Sequence, residues 1–256
     1  MKRVLTALLL IPLILGINFY LPALVTWAVM VLVAVLCLRE YFLLAQKLDF
    51  QPFRVIGYGA GTVLIFARGS PQEALLVLLS LVLLLLMLLR PTYERALGDV
   101  ASTLFGVVYI AGPFALGREL HWIDPHWLFY VLVLNWAGDS AALCFGRFFG
   151  RRKMAPVISP NKTWLGAWAS LVVAAVVGAG YLYYFLPGPV APWAAVLLSI
   201  WVNAAAQSGD LAESALKRGA DVKDSGGMLP GHGGMLDRVD GLLFSLPACY
   251  VVVRFL

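Results

Sequence analysis

Charge is scarce in this sequence. Only 13% of its 256 residues are Asp, Glu, Lys or Arg, against about 25% in a soluble domain. With 61% of the chain hydrophobic, a water-soluble globule is excluded, and the expected class is all-α, a polytopic helix bundle in lipid. Cysteine is scarce too. Cys37, Cys144 and Cys249 sit singly in apolar segments, which excludes a disulfide framework and a zinc site built on paired spacing. They read as small packing residues. There is no soluble domain, long linker, low-complexity tail or convincing internal repeat. Residues 1–256 therefore read as one membrane domain, with N-terminal spans in 1–120 and the chemistry-bearing spans and loops in 127–256. The net charge of +5 does not point to nucleic acid, because the basic residues lie in short loops between apolar runs, as membrane topology requires.

Apolar runs of about 20 residues are the unit that spans a bilayer. Nine are expected: Val4–Tyr20, Leu21–Leu38, Val55–Ala67, Ala74–Leu89, Val100–Leu116, Trp127–Phe149, Trp164–Leu186, Trp193–Ser208 and Gly241–Leu256. Met1-Lys2-Arg3 before the first run resembles a signal peptide, but no small-residue cleavage site follows, so an uncleaved span is expected. The third run is short and carries Gly57, Gly59 and Gly61, which suits close packing or partial insertion. The fourth, nearly pure Leu and Val, reads as a lipid-facing helix. With the N-terminus in the cytoplasm, only Arg68, Arg118 and Arg254 of the 19 Lys and Arg fall outside. That positive-inside bias puts Arg147–Trp164 and Gly209–Asp240 on the cytoplasmic side. His121, Trp122, His126 and Trp127, in an outside loop, read as structural.

What charge there is concentrates in Gly209–Asp240. This stretch holds Asp210, Glu213, Asp221, Asp224, Asp237 and Asp240 out of 14 acidic residues, with Lys217, Arg218, Lys223, Arg238 and His232. Charges near lipid cost about 2.5–3.5 kcal/mol each on insertion scales, so they face wet cavities and mark function. Ala204–Arg218 has no proline and one glycine, so the eighth span can continue as helix, with Asp210, Glu213 and Lys217 on one face. Two turn-rich breaks follow, Asp221–Gly227 and Leu229–Gly234, and the glycines Gly233 and Gly234 permit close backbone approach to a ligand. Asp237 and Asp240 then open the last span at i, i+3. Carboxylates suit Mg²⁺, which takes one or two of them plus substrate phosphates; the neighbouring lysines and arginines suit a polyanion. The pattern describes a metal-assisted phosphate site at the cytoplasmic interface.

A second constellation runs from Trp136 to Trp164. Asp139 is an intramembrane carboxylate, read either as a helix–helix hydrogen bond or as a cavity-facing group. Arg147 and the Arg151-Arg152-Lys153 cluster can orient spans or bind anionic groups. Arg39-Glu40-Tyr41, at the inner end of the second span, reads as an ordinary ion pair or a contact to a lipid head.

Ser214-Ala215-Leu216-Lys217-Arg218, Lys223-Asp224, Leu229-Pro230-Gly231-His232-Gly233-Gly234 and Leu236-Asp237-Arg238-Val239-Asp240 together resemble, in order and spacing, the signature of the phosphatidate cytidylyltransferases, or CDP-diacylglycerol synthases. The resemblance implies that CTP and phosphatidic acid give CDP-diacylglycerol and pyrophosphate for phospholipid synthesis. It implies Asp210 and Asp237 as ligands of Mg²⁺, with a second cation left open. Glu213, Asp224 and Asp240 follow as orienting or further ligating groups, and Lys217, Arg218, Lys223 and Arg238 as phosphate holders. His232 would bind phosphate or cap its loop. Ser159-Pro160-Asn161-Lys162-Thr163 resembles the family's nucleotide-side loop, which makes Ser159, Asn161, Lys162 and Thr163 candidate CTP contacts beside Asp139 and Arg147. The chain departs from the family at Leu165, where a glutamate is usual, and at Leu143, where tyrosine is common. Membrane lipids are implied as partners and a homodimer is left open; a bacterial inner membrane suits the topology. Two rival readings remain, a transporter of a phosphorylated anion and a related cytidylyltransferase using another lipid phosphate.

Overall fold

A backbone surrounded by hydrocarbon must satisfy its own N–H and C=O groups, and helices do so segment by segment. The computed structural model describes residues 12–67, 71–89, 93–186, 190–227 and 233–255, and those residues are overwhelmingly helical. Residues 12–20 form α1, followed by α2 (Ala23–Lys47), α3 (Arg54–Phe66), α4 (Pro71–Met87) and α5 (Ala96–Gly106). A π turn (Val107–Ala111) joins α5 to α6 (Gly112–Ile123), and then come α7 (Pro125–Phe149), α8 (Trp164–Phe185), α9 (Pro192–Gly219) and α10 (Leu236–Val253). Between α7 and α8 lies a small antiparallel hairpin, β1 (Lys153–Ala155) with β2 (Ser159–Thr163). The segment is read from sequence as a loop; two short strands with no further neighbour tolerate Pro160 at the edge.

The all-α expectation holds. The span count does not follow from it: among the described residues four helical stretches, α2, α5 through α6, α7 and α8, are long and apolar enough to cross a membrane. The other expected spans fall on helices that are short (α3, α4) or carry polar and charged residues (α9, α10), and the start of the first lies outside the described residues. α9 is the instructive case. Its 28 residues at about 1.5 Å each run about 42 Å, longer than a hydrocarbon core of about 30 Å. Its final turns, with Asp210, Glu213 and Lys217, thus project beyond the apolar part.

Local chemistry sets the helix ends. Asp124 caps α7 by accepting the His126 N–H at 2.8 Å, ahead of Pro125 at the first helical position. Thr163 caps α8 by accepting the Gly166 N–H at 3.2 Å. Pro113 has no N–H to offer the carbonyl one turn back, and the helix widens into its π turn just before it.

α7, α8, α9 and α10 pack in sequence order, and α10 also contacts α6 and α2. In lipid, close packing and interhelical hydrogen bonds hold such contacts. The α7–α8–α9 seam shows both. Ser170 Oγ donates to Asn203 Oδ1 at 3.0 Å, Gln207 Nε2 donates to the same oxygen at 2.9 Å, and Tyr130 OH meets Ser199 Oγ at 2.9 Å. Gly138 faces this seam so closely that a Cβ there would stand 2.2 Å from Asn203 Nδ2. The glycine-rich α3 is closely packed as well, with Gly57 against Phe42 and Gly61 against Leu38. α4 exposes Leu78, Leu81, Leu84 and Leu85, as a lipid-facing helix does.

The histidines and Trp127, expected in an outside loop and read as structural, pack. His126 Nδ1 lies 2.9 Å from Tyr181 OH, His121 Nε2 lies 3.3 Å from the Asn18 carbonyl, and Trp127 is buried against Tyr130. Arg118, expected in an outside loop, is instead fully buried in α6, where it donates to the Ala67 carbonyl at 2.7 Å and pairs with Glu119. A composition-based boundary at Leu116 ends the helix too early.

Gly138→Ala is expected to lower the melting temperature of the detergent-purified protein, with overpacking costing about 1–3 kcal/mol. Gly180→Ala, on the same pair of helices but with nothing within 4 Å of the added Cβ, is expected to leave it unchanged or raise it slightly.

Candidate active site

The site begins where α9 leaves its apolar part. Asp210, Glu213 and Lys217 share one face, and that face meets the first turn of α10. Gly209 allows the approach: a Cβ there would lie 2.6 Å from the Asp240 carbonyl oxygen and 3.0 Å from the Phe244 ring. Across this contact Lys217 Nζ forms ion pairs with both Glu213 Oε2 and Asp237 Oδ1.

The other oxygen of Asp237 is also held. Asp237 Oδ2 accepts the Gly234 N–H at 2.7 Å, the Ser225 N–H at 3.0 Å and the Ser225 hydroxyl at 3.0 Å. Burial pushes this carboxyl up, but the Lys217 ammonium and the two backbone N–H groups outweigh it and hold it below the ordinary carboxylate range. The loop is shaped to make those bonds. Gly233 has φ +78°, and a Cβ on it would lie 2.8 Å from Asp237 Oδ2, so this position requires glycine.

Glu213 is fully buried, and its Oε1 has no hydrogen-bond partner among the described residues. Burial pushes its carboxyl up to about 7, against the pull of Lys217. Asp240 is pushed well above its ordinary range, first by burial and then by the like charges of Asp210 and Glu213. Three carboxylates from two helices, Asp139 on α7 and Asp210 and Glu213 on α9, thus sit within electrostatic reach of Asp240.

Glu40 is the residue that sequence reasoning misses. It is 1% exposed and caps α10 from 195 residues away, Oε1 accepting the Met235 N–H and Oε2 the Leu236 N–H, both at 2.9 Å. Ser225 Oγ donates to Glu40 Oε2 at 2.8 Å. The available signal is a lone acidic residue at a span's inner end; its partners lie too far along the chain to be guessed.

Beside this knot lies a cavity of about 580 Å³ between α7, α8, α9 and the hairpin, lined by Asp139, Arg147, Lys153, Asn161, Lys162 and Asp210 among others. Lys162 Nζ pairs with Asp210 Oδ2 at 2.7 Å. Five expected residues, Asp139, Arg147, Asn161, Lys162 and Asp210, thus converge on one polar cavity. Thr163 lines it too, although its hydroxyl is the buried cap of α8. Ser159 pairs with Ala155 in the hairpin. Leu143 faces the cavity, and Leu165 is exposed on the first turn of α8.

The remaining cations are arranged differently. Arg218 donates from Nε to the Ile158 carbonyl at 3.3 Å and from Nη1 to the Val222 carbonyl at 3.1 Å, tying the hairpin to the loop after α9. Lys223, Asp224 and Arg238 are exposed. His232 lies outside the described residues.

Asp210 and Asp237, the expected metal ligands, occupy adjacent packed helices, and Glu213 feels the charge of both. Among the described residues no three His, Cys, Asp or Glu side chains stand as a ready ligand set. The donors nonetheless fit a hard divalent cation. They are carboxylate oxygens gathered on adjacent helices, one of them buried and unpartnered among the described residues.

Lys217→Met leaves Glu213 and Asp237 buried without their shared cation, and removing one partner of a buried pair costs about 3–5 kcal/mol. A sharp fall in the detergent melting temperature is expected. Adding Glu213→Gln is expected to recover part of it, which a double-mutant cycle will read as non-additivity.

Comparison with known proteins agrees with the signature. The profile described as the Cytidylyltransferase family matches residues 1–256. The chain is 37% identical over 188 residues to the phosphatidate cytidylyltransferase of Bacillus subtilis, covering 72% of this chain and 68% of that protein. Its likeness to the phosphatidate cytidylyltransferase of Staphylococcus saprophyticus is 36% over 155 residues, 60% of this chain and 59% of the relative. Against the Haemophilus influenzae enzyme of the same name it is 40% over 148 residues, 55% and 51%. The matches thus span about half to two thirds of the relatives' length. The chain belongs to the cytidylyltransferase family.

Proposed function

We propose that this protein transfers the cytidylyl group of CTP to phosphatidic acid, forming CDP-diacylglycerol and pyrophosphate at the cytoplasmic face of a bacterial inner membrane. The observation that carries the reading is the junction of two features at one helix end. A polar cavity rimmed by Arg147, Lys153 and Lys162 opens beside the carboxylate–lysine knot of Asp210, Glu213, Lys217 and Asp237. The positive-inside bias supports nine spans with a cytoplasmic N-terminus.

In the reaction an oxygen of the lipid phosphate attacks the α-phosphorus of CTP. The bond from that phosphorus to the bridging oxygen breaks, and the electron pair leaves with pyrophosphate. Two polyanions must meet, so the protein's main task is positioning and charge compensation. Arg147, Lys153 and Lys162 sit where a triphosphate entering the cavity would be neutralised, with arginine able to grip two oxygens at once. Lys162, now on Asp210, and Lys217, now on Glu213 and Asp237, are drawn toward substrate phosphate when it arrives. Asp210 and Asp237 would hold Mg²⁺, with Glu213 behind them, and that ion would supply Lewis-acid stabilisation of the phosphates. A phosphate monoester is already an anionic nucleophile, so no general base is required.

Leu143 on the cavity wall, and Leu165 where the family usually has glutamate, support a second reading, transfer to a different lipid phosphate at the same site. Purified protein given labelled CTP, Mg²⁺ and phosphatidate is expected to form CDP-diacylglycerol and pyrophosphate, and faster than with other lipid phosphates. Asp210→Asn and Asp237→Asn are expected to lower turnover by at least about 100-fold, the scale of losing one stabilising group at a transferring phosphoryl, with folded protein retained. Undiminished turnover rejects the roles given to these carboxylates. Anion flux without any CDP-lipid identifies a transporter.

A further inference from the structure

We propose that Glu40 is a positioning residue for Asp237: it fixes the start of α10 and the Ser225 loop so that the Asp237 carboxylate is presented to a cation. The inference rests on the cytidylyltransferase reading for what that cation serves, but the geometry stands without it.

The first N–H groups of a helix have no partner within it, and its positive end favours an anion. In α10 the acceptor comes from α2. Glu40 takes the Met235 and Leu236 N–H groups, one on each oxygen, both at 2.9 Å. The surrounding backbone is moulded to the carboxylate. A Cβ at Gly226 would stand 2.6 Å from Glu40 Oε1, and one at Gly234 would stand 2.3 Å from Oε2. Two glycines on separate loop segments thus close over one buried side chain.

Ser225 links this carboxylate to Asp237. Its hydroxyl lies 2.8 Å from Glu40 Oε2 and 3.0 Å from Asp237 Oδ2, and it has one proton to donate. Given to Glu40, that proton leaves Asp237 Oδ2 with the Ser225 and Gly234 N–H groups alone, which fill its two lone pairs and leave Oδ1, now on Lys217, as the oxygen turned to a cation. Glu40 therefore does two things for Asp237. It locks the helix end that carries it, and it takes the surplus third hydrogen bond from Oδ2, so that two backbone N–H groups alone fix the carboxylate. Glu40 lies outside the stretch that carries the carboxylate–lysine knot, so this assigns a task to the inner end of α2 as well.

The test uses the purified full-length chain with Glu40→Gln and, separately, Ser225→Ala. Glutamine keeps the shape but loses the charge and one acceptor. In Glu40→Gln, amide exchange at Gly234 to Leu236 without Mg²⁺ is expected to rise about tenfold, as for one lost hydrogen bond of about 1.4 kcal/mol. The Mg²⁺ concentration for half-maximal thermal stabilisation is expected to rise about tenfold or more, the scale seen when groups that orient metal ligands are removed. The KM for the lipid is expected to stay unchanged. Ser225→Ala is expected to shift both readouts the same way by less. Folded Glu40→Gln with wild-type exchange and wild-type Mg²⁺ half-saturation overturns the proposal, because a merely structural role lowers melting temperature alone. If Glu40→Gln does not fold, Glu40→Asp and Ser225→Ala carry the same comparison, and unchanged Mg²⁺ half-saturation in both overturns it equally. Wild-type protein that responds to Mg²⁺ but makes no CDP-lipid rejects the proposed function and leaves the Glu40 result to be read by itself.

Discussion

The ammonium of Lys217, shared by Glu213 and Asp237, is what lets two carboxylates lie buried at the end of the bundle. Isolated charges there would have to neutralise or leave. The pairing has two consequences. It draws the last turns of α9 onto the first turn of α10, and it holds Asp237 below the ordinary carboxylate range while burial pushes Glu213 and Asp240 up. A site in which carboxylates already face lysine ammonium groups suits an incoming cation and an incoming polyanion, since each can replace a charge already in place.

The remaining architecture serves that junction. α9 is long enough to carry its charged face clear of its apolar part, and the glycine at 209 lets α10 close on it. The α7–α8–α9 seam, tightened by Gly138 and by the Ser170–Asn203–Gln207 hydrogen bonds, sets the back wall of the cavity. The hairpin delivers Lys162 to Asp210, and Arg218 ties that hairpin to the loop leading toward Asp237. Cavity and knot are therefore mechanically joined, which suits a reaction between two substrates of opposite polarity, one aqueous and one in the bilayer.

Much of this was legible because hydropathy and spacing are local properties. The charged island at Gly209–Asp240, the extension of α9 as a helix, the i, i+3 carboxylates and the close packing of α3 all follow from residue order. So does the all-α class, since lipid leaves the backbone few alternatives. Helix ends were less legible. Arg118 was read as a loop residue, yet it is buried, because a charged side chain can be satisfied by a carbonyl on another helix that no sequence window contains. The hairpin escaped for a related reason: its short strands are held by pairing with each other.

Sequence alone determined the chemistry available, namely carboxylates, lysines and arginines in an otherwise apolar chain, and the family to which it belongs. Tertiary structure decided who meets whom. Lys162 reaches Asp210 and Lys217 bridges Glu213 to Asp237. Glu40, 195 residues from its partner, caps the helix that carries Asp237. Such long-range choices are set by which helix faces can pack without leaving a buried charge or N–H unpaired, and that condition exists only once the whole bundle is assembled.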